Sequence, residues 1–242
     1  MRKFILIVML ALLALSFALP ANSAPPDKGD DAKLHIFVHY PKPGKAPTLP
    51  GTCDPTSTDP THFGLTGWVL SGPTVYRVNY NTIPNSVANP RDAIRNSFAT
   101  WQTASSVSLS EGVQTTARGA KRDGQNVVVW GAVPGGAIAV TYIWASGGKV
   151  VEVDTVMGKS LPWAYTSVRN PDAACGYLHA YDVQDILTHE IGHWLGLDDL
   201  YSKNGYDDHD LTMYGYGDKG ELKKDTLAPG DTAGIGALYN KK

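Results

Sequence analysis

The chain has 242 residues, 43% of them apolar and 18% charged, enough to bury the core of one ordinary domain with some flanking sequence. Its net charge of −2 comes from acids and bases mixed along the chain. The basic stripe that a phosphate backbone demands is missing, so nucleic acid is not an expected partner.

At the start, Arg2 and Lys3 precede an apolar run from Phe4 to Leu19, and "PANSA" follows. This is the pattern of a secretory signal peptide, expected to span 1–23 with cleavage before Ala24. An uncleaved anchor is the alternative, but the run is shorter than the roughly 20 residues of a spanning helix. Secretion, with no membrane contact after cleavage, is therefore the expectation, and it places the chain where disulfides persist. The two cysteines, Cys53 and Cys175, are expected to pair.

Residues 24–72 are rich in Pro, Thr, Asp and Gly and read as a loosely structured lead-in or short pro-segment, with one strand-like run, "LHIFVHY". The globular domain is expected over 73–242, opening with a strand in "TVYRVNY". In "NPRDAIRNSFATWQ", Asn89 suits an N-cap and Pro90 the first helical position, while Ile94, Phe98 and Trp101 recur on one helical face. Strands are expected in "SVSLS", "NVVVWG", "GAIAVTYIWA" and "KVVEVDTVM", the last two joined as a hairpin across Gly147 and Gly148. A closing helix is expected in "LAPGDTAGIGALY", with Ile235, Leu238 and Tyr239 on one face.

Between these lies "HEIGHWLGLDD", residues 189–199. Asp182 can cap a helix through "VQDILTHEIGHWL", and Gly196 can supply its left-handed stop. On that helix His189 and His193 are four apart and project from one face, so both imidazoles can reach one ion; Glu190 lies about 100° round, beside them. This is the arrangement of a zinc peptidase motif. Tetrahedral catalytic zinc needs a third protein ligand and an open position for water. A straight helix offers none beyond His193, but a turn at Gly196 would bring Asp199 back under the ion. Asp198, His209 and Glu221 are the competing third ligands. The acids from Asp198 to Asp210 read otherwise as a solvated loop, with calcium the weaker alternative.

"HEIGHWLGLDD" together with Met213 in "LTMYGYG" resembles the metzincin zinc endopeptidases, and within them the matrixin-like family. "VYRVNYNTIPNSVANPRDAIRNSFATWQ", "GAIAVTYIW" and "LAPGDTAGIGALYN" resemble that family's first strand and long helix, its edge strand and its closing helix, so the likeness runs from Trp68 to Asn240. Two departures stand out. Asp199 takes the place of the usual histidine, as in the snapalysins, and the family's run of calcium-binding acids is not recognisable. The family's inhibitory Arg-Cys-Gly pattern is also altered around Cys53, in "PGTCDPT", which leaves a Cys53 thiolate switch as an alternative to the disulfide.

The resemblance implies an α+β fold: a twisted mixed sheet with a long N-terminal helix, an active-site helix and a C-terminal helix. It implies Zn2+ held by His189, His193 and Asp199, Glu190 as general base, and Met213 and Gly196 as structural support. Structural Ca2+ stays open. The expected partner is a protein or peptide substrate lying as an extended strand along "GAIAVTYIW", and the enzyme is expected to be a monomer. Two other classes compete: an inert zinc-stabilised binding domain, which would not need Glu190, and an exported polysaccharide binder, for which no glycosidase-like carboxylate pairing is visible.

Overall fold

A computed structural model describes residues 31–44, 53–168, 175–202 and 207–239. The predicted signal peptide lies outside the described residues. No helix among the described residues is long and apolar enough to cross a membrane.

The chain forms strands β1 (Lys33–Pro41), β2 (Thr74–Val78), β3 (Leu109–Glu111), β4 (Asn126–Gly131), β5 (Ala139–Ser146), β6 (Lys149–Gly158), β7 (Trp163–Ala164), β8 (Tyr181–Asp182) and β9 (Tyr216–Gly217), and helices α1 (Pro90–Ala104), α2 (Val183–Trp194) and α3 (Pro229–Tyr239). Seven strands make one mixed sheet in the order β3-β2-β4-β6-β5-β1-β9. The β3, β2, β4 and β6 neighbours run parallel; β5 is antiparallel to both β6 and β1, and β9 is parallel to β1. The fold is therefore α+β, with a mostly parallel sheet and three α-helices among the described residues.

Local sequence explains most of these elements. The run of buried valines in β4 suits a strand covered on both faces. Gly147 and Gly148 both have positive φ, as a tight hairpin between β5 and β6 requires. In α1, Ile94, Phe98 and Trp101 are buried, and the Trp101 indole N–H donates to the Thr188 carbonyl (2.8 Å), tying α1 to α2. The expected Asn89 cap differs in kind: Asn89 adopts φ 47°, ψ 51°, and its side chain makes no capping bond. Its backbone carbonyl instead receives the amides of Asp92 and Ala93, a left-handed entry that Asn tolerates.

The expected boundary near residue 72 does not coincide with a break in packing. Trp68 and Leu70 belong to the main core cluster, Leu65 bridges Leu197, and Val69 bridges Lys149. Cys53 is bonded to Cys175 and packs with Leu222 in a small cluster of its own. The thiolate-switch alternative for Cys53 is thereby overturned, since its sulfur is already spent in a covalent bond away from the histidines. The strand-like run "LHIFVHY" is a sheet member within β1, although only His39 of the nine residues of β1 is buried.

Candidate metal centre

Helix α2 begins where Asp182 accepts the amides of Gln184 (2.8 Å) and Asp185 (3.1 Å), as its sequence requires. It ends in a Schellman arrangement: the Leu197 amide donates to Gly192 O (3.0 Å) and the Gly196 amide to His193 O (3.1 Å), with Gly196 at φ 97°. A Cβ on Gly196 would also overlap the Trp68 carbonyl oxygen, so both conformation and space demand glycine. Past this turn the chain doubles back. The Asp198 amide donates to Gly64 O (3.1 Å) and the Leu200 amide to Met213 O (2.8 Å), fixing Asp199 between two anchored neighbours.

The result is a triangle of donor atoms. His189 Nε2 and His193 Nε2 are 3.2 Å apart, and Asp199 Oδ1 lies 3.3 Å from the first and 3.5 Å from the second. A tetrahedral ion with ligands at about 2.0–2.1 Å separates its donors by roughly 3.3–3.4 Å, so the three edges have the size of one face of such a tetrahedron. Each imidazole is oriented by its other nitrogen: His189 Nδ1 donates to Thr212 O (2.8 Å) and His193 Nδ1 to Leu197 O (2.9 Å). With both Nδ1 atoms committed as donors, the two Nε2 lone pairs face each other, which is unfavourable without a cation between them. Asp199 Oδ1 is itself buried with no hydrogen-bond donor of good geometry. The donor set of two imidazoles and a carboxylate suits zinc.

The electrostatics agree. Burial, reinforced by His39 and Lys224, pulls His189 down to about 3. Burial also opposes charge on His193, but the Asp199 carboxylate outweighs it and the net shift is upward. Burial would likewise raise Asp199, yet the two histidines hold it well below the usual carboxylate range. His189 is thus held neutral and Asp199 ionised, the protonation states in which both can bind a cation.

Glu190 is fully buried beside the donors. Its Oε2 accepts from Thr141 Oγ1 (2.5 Å), and its Oε1 meets His39 Nδ1 (3.1 Å). Burial pushes its carboxyl above the ordinary range, in the direction a general base at neutral pH requires.

The floor of the site is the turn around Met213. Asp231, at the start of α3, accepts the amides of Thr212 (2.8 Å), Met213 (3.2 Å) and Ala228 (3.0 Å), while the buried Lys224 ammonium donates to the carbonyls of Thr212 and Tyr214. Met213 packs against α2 so closely that a Cβ on Gly192 would overlap its sulfur. Sequence reasoning singled out Met213 and Gly196 but missed Asp231, Lys224, Gly192, Thr141 and His39. Gly192 lies within the motif but at a position the motif does not specify, and an acid at a helix start or a threonine in a strand carries no local signal of what it will meet.

Of the competing third ligands, Asp198 turns its Oδ1 to the Asp199 amide (2.9 Å), His209 pairs with Asp207 (2.5 Å), and Glu221 accepts the Asp218 amide (3.1 Å). Two groups that could hold a metal occur among the described residues: His189, His193 and Asp199, and the adjoining set of His39, His189 and Glu190. A scan against protein-family models finds no match to this chain, and a search of curated proteins finds none either.

Proposed function

We propose that the chain is a secreted zinc-dependent endopeptidase of the metzincin type, matrixin-like in its overall plan and snapalysin-like in its aspartate ligand. The observation that carries this reading is the donor triangle of His189, His193 and Asp199, with edges of 3.2, 3.3 and 3.5 Å, beside the buried carboxylate of Glu190. The sheet order supports it as well: a parallel block ends in the antiparallel strand β5, which runs past the site and places Thr141 on Glu190.

Zinc held there supplies Lewis-acid polarisation of the scissile carbonyl and a water of lowered pKa. His189 and His193 are kept in the correct tautomer by Thr212 O and Leu197 O, so no reorientation is needed on binding. Asp199 contributes one negative charge and leaves the centre a milder acid than three imidazoles would. Glu190 takes a proton from the attacking water and returns it to the departing amine, and Thr141 holds the carboxylate in position for both transfers. β5 is not the edge strand expected from the sequence, since β6 and β1 flank it, so an extended peptide substrate would lie along β5 in the place that β1 takes here, where main-chain hydrogen bonds would supply affinity.

The test is zinc stoichiometry measured alongside casein cleavage, with and without chelator, in the wild type and in Glu190→Gln. One zinc per chain, chelator-sensitive cleavage, and a variant that keeps zinc but loses cleavage are expected. A chain that binds no zinc, or a Glu190→Gln protein that cleaves at the wild-type rate, contradicts the assignment.

A further inference from the structure

The β5 edge along which a substrate is proposed to lie already carries a strand of this chain. β1 pairs antiparallel with β5 from Lys33 opposite Ala145 to His39 opposite Ala139, then passes parallel to β9 through Tyr40 and Pro41. The ladder is continued by the Ile138 amide to His39 O (2.7 Å) and the Lys42 amide to Gly217 O (3.1 Å), so main chain is held on both sides. Side chains on the face toward α2 descend onto the metal-binding residues. Phe37 stacks on His193 at 4.0 Å between ring centroids, and His39 lies over His189 at 4.0 Å.

We infer that residues 33–41 are a self-supplied strand that keeps the site latent by filling its peptide groove, and that the groove opens to substrate only when β1 leaves. This inference rests on the peptidase reading of the same site. With β1 in place His189 and Glu190 are 0% exposed and His193 is 1% exposed, so no peptide bond can reach the base. His39 also withholds that base. Its Nδ1 lies 3.1 Å from Glu190 Oε1, within hydrogen-bond reach, while Thr141 donates to Oε2. With Thr141 fixing Oε2, Oε1 is the oxygen left to face a water, and His39 stands against it.

The same strand is lightly seated. His39 is its only buried residue, and Leu34, Ile36 and Tyr40 are 47%, 52% and 40% exposed. Most of its hold is main-chain pairing, which another extended peptide can reproduce. β1 is also the first element of the chain among the described residues, so taking it out cuts no connection between the others. It contrasts with residues 53–70, which are bound to the domain by the Cys53–Cys175 bond and by Trp68 and Leu70 in the core.

The experiment is hydrogen exchange by mass spectrometry on the full zinc-loaded chain, with and without a saturating peptide hydroxamate, together with peptidase assays of wild type and Phe37→Ala/His39→Ala. Segments 33–41 and 139–146 should both be protected in the free protein. The hydroxamate should deprotect 33–41 while 139–146 stays protected, because one strand has replaced another. In the double variant 33–41 should exchange faster, and kcat/KM should rise about tenfold or more, the factor that one lost hydrogen bond to a charged group corresponds to. Persisting protection of 33–41 under bound hydroxamate overturns the inference without needing the variant to fold. So does a double variant whose strand is released but whose activity does not rise. In either case stoichiometric zinc and chelator-sensitive cleavage would leave the peptidase reading intact, whereas a chain that takes up no zinc fails that reading itself.

Discussion

Gly192 sits in the last turn of α2 between His189 and His193, where glycine costs up to about 1 kcal/mol relative to alanine. On helix propensity alone Gly192→Ala should stabilise the protein. The structure predicts otherwise, because the added Cβ would overlap the Met213 sulfur and approach Trp101 Cζ2 at 3.1 Å, and all three residues are buried. Overpacking of this kind costs about 1–3 kcal/mol, so the net effect lies between neutral and roughly 2 kcal/mol destabilising. The larger consequence falls on the metal. Moving Met213 displaces the neighbouring Thr212 carbonyl, which orients His189, and loss of such an orienting partner lowers metal affinity about 10–100-fold. Urea unfolding of the metal-free protein and zinc competition with a fluorescent chelator measure the two effects separately. Adding Met213→Ala should relieve the overlap and recover much of the zinc affinity. A Gly192→Ala protein that is more stable than wild type and binds zinc equally well would refute the claim that the helix and the turn are in contact here.

Four other outcomes are expected. Asp199→Asn removes the anionic ligand and should weaken zinc by more than the roughly 10–100-fold of an orienting partner, read by the same competition assay; unchanged affinity would return the third ligand to the competing residues. Asp231→Ala leaves three buried amides without their acceptor and should destabilise the chain by at least about 1–3 kcal/mol in urea unfolding, with zinc affinity falling alongside. Replacing both Cys53 and Cys175 by serine opens a loop of 122 residues and should cost up to about 4–5 kcal/mol in the same assay, whereas a loss near zero would mean the unfolded chain gains little freedom. Burial, helped by Glu152, pushes Asp154 up to about 8 despite amides from Lys121 and Val127. A carboxyl raised on folding adds stability that is fully present below the ordinary carboxylate range and is lost as pH rises through the folded value. Stability should therefore fall as pH rises from the ordinary carboxylate value of 3.8 to about 8, by no more than about 1.4 kcal/mol per pH unit, and level off above it; the thermal midpoint followed across that range reads this, and Asp154→Asn should flatten the slope.

What could be read from the sequence alone was local. The four-residue spacing of His189 and His193, the Asp182 cap and the Gly196 stop define α2 through contacts within a few residues, and α2 has those features in the structure. The hairpin across Gly147 and Gly148 and the buried face of α1 are legible for the same reason. Asp199 was within reach because a helix stop followed by a reversal has a known span.

Tertiary structure decided everything that joins residues far apart in the chain. His39 and Glu190 are separated by 151 positions, and only the insertion of β1 between β5 and β9 brings them to 3.1 Å. The strand-like run "LHIFVHY" does not reveal which edge it pairs with, since any open edge offers the same amides and carbonyls. Asp231 beneath Thr212 and Met213, and Gly192 against the Met213 sulfur, depend likewise on how helices close over the sheet. Periodicity and capping are set by neighbours along the backbone, whereas these contacts are set by packing, in which residues with no sequence relation share one volume.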